Sequence, residues 1–148
     1  MNKINMLKAV YFLYTQVPEE QFDMEHYRNV YKNKLVDNRN PICETIGCAA
    51  GWLTAIVPLN KILRYSDKTI DYLNTIASIL DINISEFWFL FRGLWQGYDN
   101  TIEGACKRFL YLLITDKLDL KVKFNHPYHK IDIVSTYNKL KAQYENFK

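Results

Sequence analysis

Cysteine and histidine side chains are the first candidates for chemistry in this chain, which contains three of each. Cys43, Cys48 and His26 would supply three ligands to a metal ion, whereas a structural zinc site needs four. The remaining thiol, Cys106, falls in the buried stripe of a predicted helix and is poorly placed to complete the set. We therefore expect no metal site and interpret the cysteines as buried, reduced thiols.

Cys48 is the candidate for a nucleophilic thiol, because it lies near the predicted start of a helix, where the helix dipole lowers a thiol pKa. A general base would have to come from His26, His126 or His129. The alanines that follow Cys48 indicate burial instead, and buried thiols are inert. Paired carboxylates, a glycine-rich phosphate loop and a Ser-His-Asp pattern are not recognisable in the sequence. We expect no catalytic residue, no cofactor and no enzymatic activity.

The stretch 41–52, PICETIGCAAGW, must position two of these cysteines. Glu44 is its only charged residue, although 24% of the whole chain is charged. From Gly47 to Val57, apolar residues recur at three- and four-residue intervals, which predicts a helix with a face of small residues. Such a face lets neighbouring elements approach closely. We expect this helix at the centre of the fold.

The same stretch carries a family resemblance. Phe22-Asp23-Met24, followed by C-x-T-x-x-C-x-A-G-W over residues 43–52, resembles a group of small, largely uncharacterised bacteriophage and bacterial proteins with an FDM segment and a CGTxxCxAGW motif. Trp88, Trp95 and the segment 99–108, DNTIEGACKR, resemble the second half of that group. Glu44 stands where the group usually has glycine. The resemblance covers roughly residues 1 to 115; it implies a phage-type protein and attaches no activity to it.

Length and composition indicate one domain spanning residues 1–148, because 49% of the residues are hydrophobic and the chain has the size of an ordinary domain. No run of 18 apolar residues occurs and no signal peptide is recognisable, so we expect a protein of the host cytoplasm without membrane contact.

The net charge of +3 is too small to argue for nucleic acid. A helix-turn-helix-like stretch at 75–92 begins its second helix without base-reading side chains, which also argues against DNA.

Apolar spacing predicts a compact all-α bundle of five to six helices. The predicted helices cover about 3–16, Gly47–Val57, 67–80, Glu86–Trp95, Ile102–Ile114 and 131–147. Ser66 or Asp67 is expected to cap the third of them, and Ser85 the fourth. The second and fourth are expected at the centre.

Three further features complete the predicted architecture. Leu7, Val10, Tyr11 and Tyr14 are expected on one face of the first helix, with Met6 and Leu13 widening that face. Lys107 and Arg108 are expected to face outward from the helix Ile102–Ile114. Residues 28–40 are polar and net positive, which predicts an exposed loop, and residues 120–124 are expected to form an extended linker.

Two sets of side chains are candidates for binding. The first set consists of basic residues in the predicted loops 28–39 and 121–130, which would hold a nucleotide or another small anion: Arg28, Lys32, Arg39, Lys121, Lys123, His126, His129 and Lys130. The second set is aromatic and would contact a protein partner: Trp88, Trp95 and Tyr98. Each set also has an interpretation that involves no binding. The basic residues would then belong to solvated loops, and the aromatic residues to a central helix of the bundle.

The function hypothesis that follows is a non-catalytic, phage-type accessory protein that binds a host or phage protein or associates with itself as an oligomer. The alternative is a protein that sequesters a nucleotide or similar small anion with the loops 28–39 and 121–130. A third possibility is a thiol enzyme that uses Cys48.

Overall fold

The computed structural model describes residues 1–22, 29–31, 34–36, 49–91, 95, 99–115, 121 and 125–145. Within these ranges the chain forms six α-helices: α1 Lys3–Gln16, α2 Ala49–Leu53, α3 Tyr72–Leu80, α4 Ile84–Phe91, α5 Ile102–Ile114 and α6 Ile133–Glu145. Short 3-10 helices cover Glu19–Gln21, Thr54–Ile56, Leu59–Lys61 and Pro127–Lys130. The all-α bundle predicted from the sequence is confirmed. No helix in the described ranges has the length and apolar character to cross a membrane.

Among the described residues, a small hairpin and an isolated bridge between Arg64 and Ile70 depart from helical structure. Strands β1 Asn29–Tyr31 and β2 Lys34–Val36 pair antiparallel, with Val30 opposite Leu35. The prediction of an exposed loop over residues 28–40 is therefore wrong for the paired residues. Two short runs rich in β-branched and aromatic residues, separated by two residues, have the spacing of a hairpin.

Helix α1 begins where predicted, with the Asn2 side chain accepting a hydrogen bond from the Asn5 amide at 3.0 Å. It ends before Pro18, whose ring cannot continue a helix. Four residues of the predicted face, Met6, Leu7, Val10 and Leu13, are buried, but Tyr11 and Tyr14 are exposed. The buried stripe therefore follows Met6, Val10 and Leu13 at three- and four-residue intervals, with Ala9 beside it.

Helix α5 is the central element, not the two helices expected from the sequence. Ten of its thirteen residues are buried, and it packs against α1, α4 and α6. Its first turn is capped by Thr101, whose hydroxyl accepts from the Gly104 amide at 2.9 Å, and the Glu19 carboxylate accepts from the Ile102 amide at 3.3 Å. A helix that is apolar nearly all round belongs inside the core.

The expected central helices are shorter than predicted. Within the described part of the chain, α2 stops at Leu53 and continues as a 3-10 turn, where the Thr54 hydroxyl donates to the Gly51 carbonyl at 2.6 Å. Helix α4 ends at Phe91, and Trp95 lies outside it. Both helices are nonetheless buried on several sides.

Two caps also differ from the sequence-based expectation. Asp71, not Ser66 or Asp67, caps α3 by accepting from the Asn74 amide at 3.0 Å. Asn83, not Ser85, caps α4, and the Glu86 carboxylate accepts from the Asn83 amide in return at 2.9 Å.

Candidate functional site

A cleft of about 660 Å³ opens between α1, α3, α6 and the segment that follows α2. Its floor is apolar and comes from α1, the end of α2, the segment that follows α2, and α3: Ala9, Phe12, Leu53, Val57, Ile76 and Leu80. Pockets of roughly 300 to 1,000 Å³ with apolar walls are the usual binding sites of proteins. The size and lining of this cleft therefore make it the first candidate for a functional site.

The walls of the cleft are fastened to one another by polar and aromatic contacts. The Asn5 side-chain amide on α1 donates to the Ile79 carbonyl on α3 at 2.8 Å, and the Asn2 amide donates to the Leu80 carbonyl at 2.7 Å. On the other side, the Tyr11 ring stacks on the Tyr137 ring of α6, with 6.4 Å between centroids. Because three helices are joined at these points, the cleft is formed before anything binds to it.

The rim of the cleft is positively charged. Among the described residues that line it, the charged side chains are all lysines, namely Lys8, Lys61 and Lys141, and each is exposed. Lys141 also lies 3.8 Å from the Glu145 carboxylate, in a surface pair of the kind that contributes little. An apolar floor beneath a cationic rim is suited to an amphipathic ligand with negative groups at its edge.

A second feature, here called the Arg108 cluster, consists of Arg108, Asp99, Tyr128 and Trp95. Arg108 was expected to face outward, but its side chain is fully buried, at 0% exposure. Its Nη1 donates to the Asp99 carbonyl at 3.3 Å and to the Tyr128 hydroxyl at 3.4 Å. The guanidinium carbon lies over the Trp95 ring at 4.8 Å and over the Tyr128 ring at 5.4 Å. These partners explain why the prediction for Arg108 is wrong.

Asp99 joins the cluster to the start of α5. Its carboxylate accepts from the Tyr128 hydroxyl at 3.0 Å and from the Thr101 hydroxyl at 2.6 Å. The carboxylate lies directly over Gly104, where a Cβ atom would overlap it. Gly104 and Arg108 are one helical turn apart, so both face the same side of α5. The segment 99–108 noted in the sequence is thus a single structural unit.

Burial sets the protonation of the groups around α5. It lowers the pKa of Arg108, while the neighbouring Tyr128 and Asp99 oppose that shift, and an arginine stays charged in a protein. Burial raises the pKa of Tyr128 above its ordinary value, so its hydroxyl keeps the proton that it donates to Asp99. Burial also raises the pKa of Cys106 to about 12, which leaves a neutral thiol.

Most residues of the predicted anion site are not brought together by the described structure. His126 is buried, at 1% exposure, and its Nδ1 accepts from the Tyr128 amide at 3.3 Å, so it is not the surface residue that was expected. Its ring packs among aromatic rings, the closest of which is that of Tyr111 at 4.8 Å. Lys121, His129 and Lys130 are exposed, and Nδ1 of His129 lies 3.9 Å from the Asp99 carboxylate. Four others lie outside the described residues: Arg28, Lys32, Arg39 and Lys123.

The residues of the predicted aromatic partner surface do not all lie at the surface. Trp88 is 40% exposed, as a contact residue requires. Trp95 is fully buried, with its Nε1 donating to the Phe89 carbonyl at 2.6 Å, so it belongs to the core. Tyr98 lies outside the described residues, as do the predicted thiol and histidine ligands Cys43, Cys48 and His26.

The cleft and the Arg108 cluster were both missed by reasoning from sequence. The cleft has no local signal, because its lining comes from four separate parts of the chain. The cluster had one weak signal, Gly104 in the first turn of a strong helix. Glycine destabilises a helix relative to alanine, so its presence there indicates a close approach by another group.

Comparison with known proteins adds no assignment. The chain shows no significant match to a protein-family model, to a curated protein or to a solved structure. The cleft and the Arg108 cluster are therefore the features from which a function can be inferred.

Proposed function

We propose that the protein is a non-catalytic, phage-type accessory protein that binds a host protein, and that the cleft receives an amphipathic segment of that partner. The observation that carries the proposal is the cleft itself, with about 660 Å³ of space above an apolar floor. An amphipathic helix that lays its apolar face into such a groove is a recurring mode of recognition between proteins.

The charge of the rim specifies the partner further. Lys8, Lys61 and Lys141 surround the floor, so acidic residues beside the apolar face of the partner segment would be attracted to them. A second copy of this chain is a poorer occupant, because each copy carries a net charge of +3. The partner of best complementarity is thus a protein with an apolar stripe flanked by aspartate or glutamate.

The surface around the cleft extends the apolar contact. Ile56 lines the cleft and is 44% exposed, and Leu59, two residues before Lys61, is 73% exposed. Large apolar side chains left in water beside a groove mark interaction sites. Because the walls are already joined to one another, most of the conformational entropy lost on binding would come from the ordering of the partner segment.

The alternative function, sequestration of a nucleotide by loops 28–39 and 121–130, is supported by fewer described groups. Lys121 and Lys130 are exposed cations and His129 is exposed, but His126 is part of the core. We therefore favour the cleft as the binding site.

Site-specific crosslinking tests the proposal. A photoreactive amino acid at Ile56 is expected to crosslink a host-protein segment that has apolar residues at three- and four-residue spacing and acidic residues beside them. The matched control is the same amino acid at Ile84, which is 52% exposed on α4 and lies outside the cleft lining. The crosslinked peptides are identified by mass spectrometry.

The crosslinks have three outcomes that count against the proposal. Equal crosslinking at Ile56 and Ile84 would show that the contact is not specific to the cleft. A crosslink from Ile56 to another copy of this chain would replace the host partner with self-association. A partner peptide without acidic residues would remove the role of the lysine rim.

A further inference from the structure

One edge of the Arg108 guanidinium has no hydrogen-bond partner among the described residues. Its Nε and Nη2 atoms are buried and have no hydrogen-bond partner in the part of the chain that the structure describes. Removing a charged donor from water without a partner costs several kcal/mol. The fold therefore keeps two strong donors at a place where they contribute no stability by themselves.

The geometry of that edge is specific. The Nε–H and Nη2–H bonds of an arginine point in the same direction, with the spacing that matches two oxygens of a carboxylate or phosphate group. The opposite side of the guanidinium is engaged, since Nη1 donates to the Asp99 carbonyl and the Tyr128 hydroxyl. With the rings of Trp95 and Tyr128 against the group, its orientation is set before any ligand arrives.

The nearby carboxylate does not occupy the free edge. Both oxygens of the Asp99 side chain accept hydrogen bonds from hydroxyl groups, Oδ1 from Thr101 and Oδ2 from Tyr128. The hydrogen bond between Asp99 and the guanidinium is made by the backbone oxygen of Asp99 instead. The positive charge of Arg108 is thus left without a directly bonded negative group among the described residues.

We propose that the Nε–Nη2 edge of Arg108 is the binding site for an oxyanion group, a carboxylate or a phosphate, of a small ligand. The site is separate from the cleft, since none of the four residues of the Arg108 cluster lines it. It also differs from the anion site expected in the loops 28–39 and 121–130, because its cation comes from the middle of α5. The inference does not depend on the proposed partner protein.

Titration of the full chain tests the site with two defined probes, inorganic phosphate and acetate. The protein is dialysed against a buffer without oxyanions, and sodium chloride keeps the ionic strength constant. Isothermal titration calorimetry is expected to show saturable binding of at least one probe, and the melting temperature is expected to rise by a few degrees at saturation. Binding of phosphate alone indicates a phosphoryl ligand, and binding of acetate alone indicates a carboxylate ligand.

Two variants locate the binding. Arg108→Lys keeps the charge but removes the two-donor edge, so saturable binding is expected to be lost. Lys130→Gln removes an exposed cation from the 3-10 turn that carries Tyr128, and binding is expected to be unchanged. Lost binding in Lys130→Gln, or retained binding in a folded Arg108→Lys, would overturn the proposal.

An NMR measurement on the unmodified protein applies even if Arg108→Lys does not fold. The Nε–H resonance of Arg108, assigned through the bonds of its own side chain, is expected to move as phosphate or acetate is added. The exposed Arg64 provides the internal reference, with a smaller expected shift. The proposal is wrong if neither probe binds in the calorimeter, or if the Arg108 resonance does not move while binding occurs.

Discussion

The cleft and the Arg108 cluster place their positive charges in opposite environments. The cleft keeps its lysines at an exposed rim above an apolar floor, where water solvates them until a partner arrives. The cluster holds a guanidinium inside the core and surrounds it with Asp99, Tyr128 and Trp95. A charge at a rim affects binding with little effect on folding, whereas a buried charge depends on each of its partners. The two regions should therefore respond differently to substitution.

The largest effect is expected from Gly104→Ala. Alanine normally stabilises a helix interior by about 1 kcal/mol relative to glycine. Here the new Cβ atom would displace the Asp99 carboxylate and disturb the Tyr128 hydroxyl and Arg108 with it. We expect the free energy of unfolding to fall by about 2 to 4 kcal/mol, measured by urea denaturation. Glu103→Ala on the exposed side of the same turn is the control, and a stabilised Gly104→Ala would refute the arrangement of Asp99.

A smaller loss of stability is expected from Tyr128→Phe. The phenylalanine keeps the ring against Trp95 but removes the hydroxyl that donates to Asp99 and accepts from Arg108. Leaving these buried groups without their partner should lower the free energy of unfolding by about 1 to 3 kcal/mol. Tyr144→Phe, at a partly exposed tyrosine of α6, serves as the comparison. Equal stability of the two variants would show that the Tyr128 hydrogen bonds contribute nothing.

Substitutions at the rim of the cleft are expected to change the affinity for the partner more than the stability of the fold. The double variant Lys8→Glu, Lys61→Glu should change the free energy of unfolding by less than about 0.5 kcal/mol, because both side chains are exposed. Its affinity for the crosslinked partner segment should fall by about tenfold or more, since acidic groups would now face acidic groups. The double variant Lys130→Glu, Lys139→Glu, at two exposed lysines outside the cleft lining, is the charge-matched control. A loss of affinity in the control equal to that in the cleft variant would assign the effect to net charge.

The smallest effect at neutral pH is expected from Cys106→Ala, about 1 kcal/mol or less for the loss of one buried atom. At alkaline pH the variant should differ more clearly. The pKa of Cys106 is raised from 9.0 to about 12 in the folded protein, so an unfolded chain releases this proton at lower pH than the folded one. Stability from the buried thiol is therefore complete below pH 9 and decreases between pH 9 and about 12. Denaturation curves at several pH values should show a shallower decline for Cys106→Ala, and parallel declines would contradict the assignment.

Local patterns in the sequence predicted much of the helical framework. The bounds of α5 follow from an apolar repeat that starts just after the candidate caps Asp99, Asn100 and Thr101, and they agree with the structure, in which Thr101 is the cap. The cap of α3 was placed too early, because Ser66, Asp67 and Asp71 are all acceptable caps by composition. The choice among them depends on the contacts of the preceding segment, where the Asp71 amide donates to the Leu63 carbonyl at 2.9 Å.

The sites were predicted less well than the framework. Apolar periodicity treats Arg108 as an outward residue, and a tryptophan beside glycines looks the same whether it contacts a partner or fills a core. Trp95 and His126 are buried in part by rings that are distant along the chain, since Tyr128 contacts Trp95 and Phe89 contacts His126. None of these contacts is visible as spacing along the chain.

By itself, the sequence determined that the protein is built from helices and where several of them begin and end. It also determined that the segment 99–108 starts a helix and carries a glycine and an arginine one turn apart. These properties depend on interactions over three or four residues. Only the tertiary structure decided that Arg108 is buried and that a cleft lies between α1, α3 and α6. The partners of Arg108 lie 9 and 20 residues away, and the cleft is formed by surfaces that meet only when the bundle is folded.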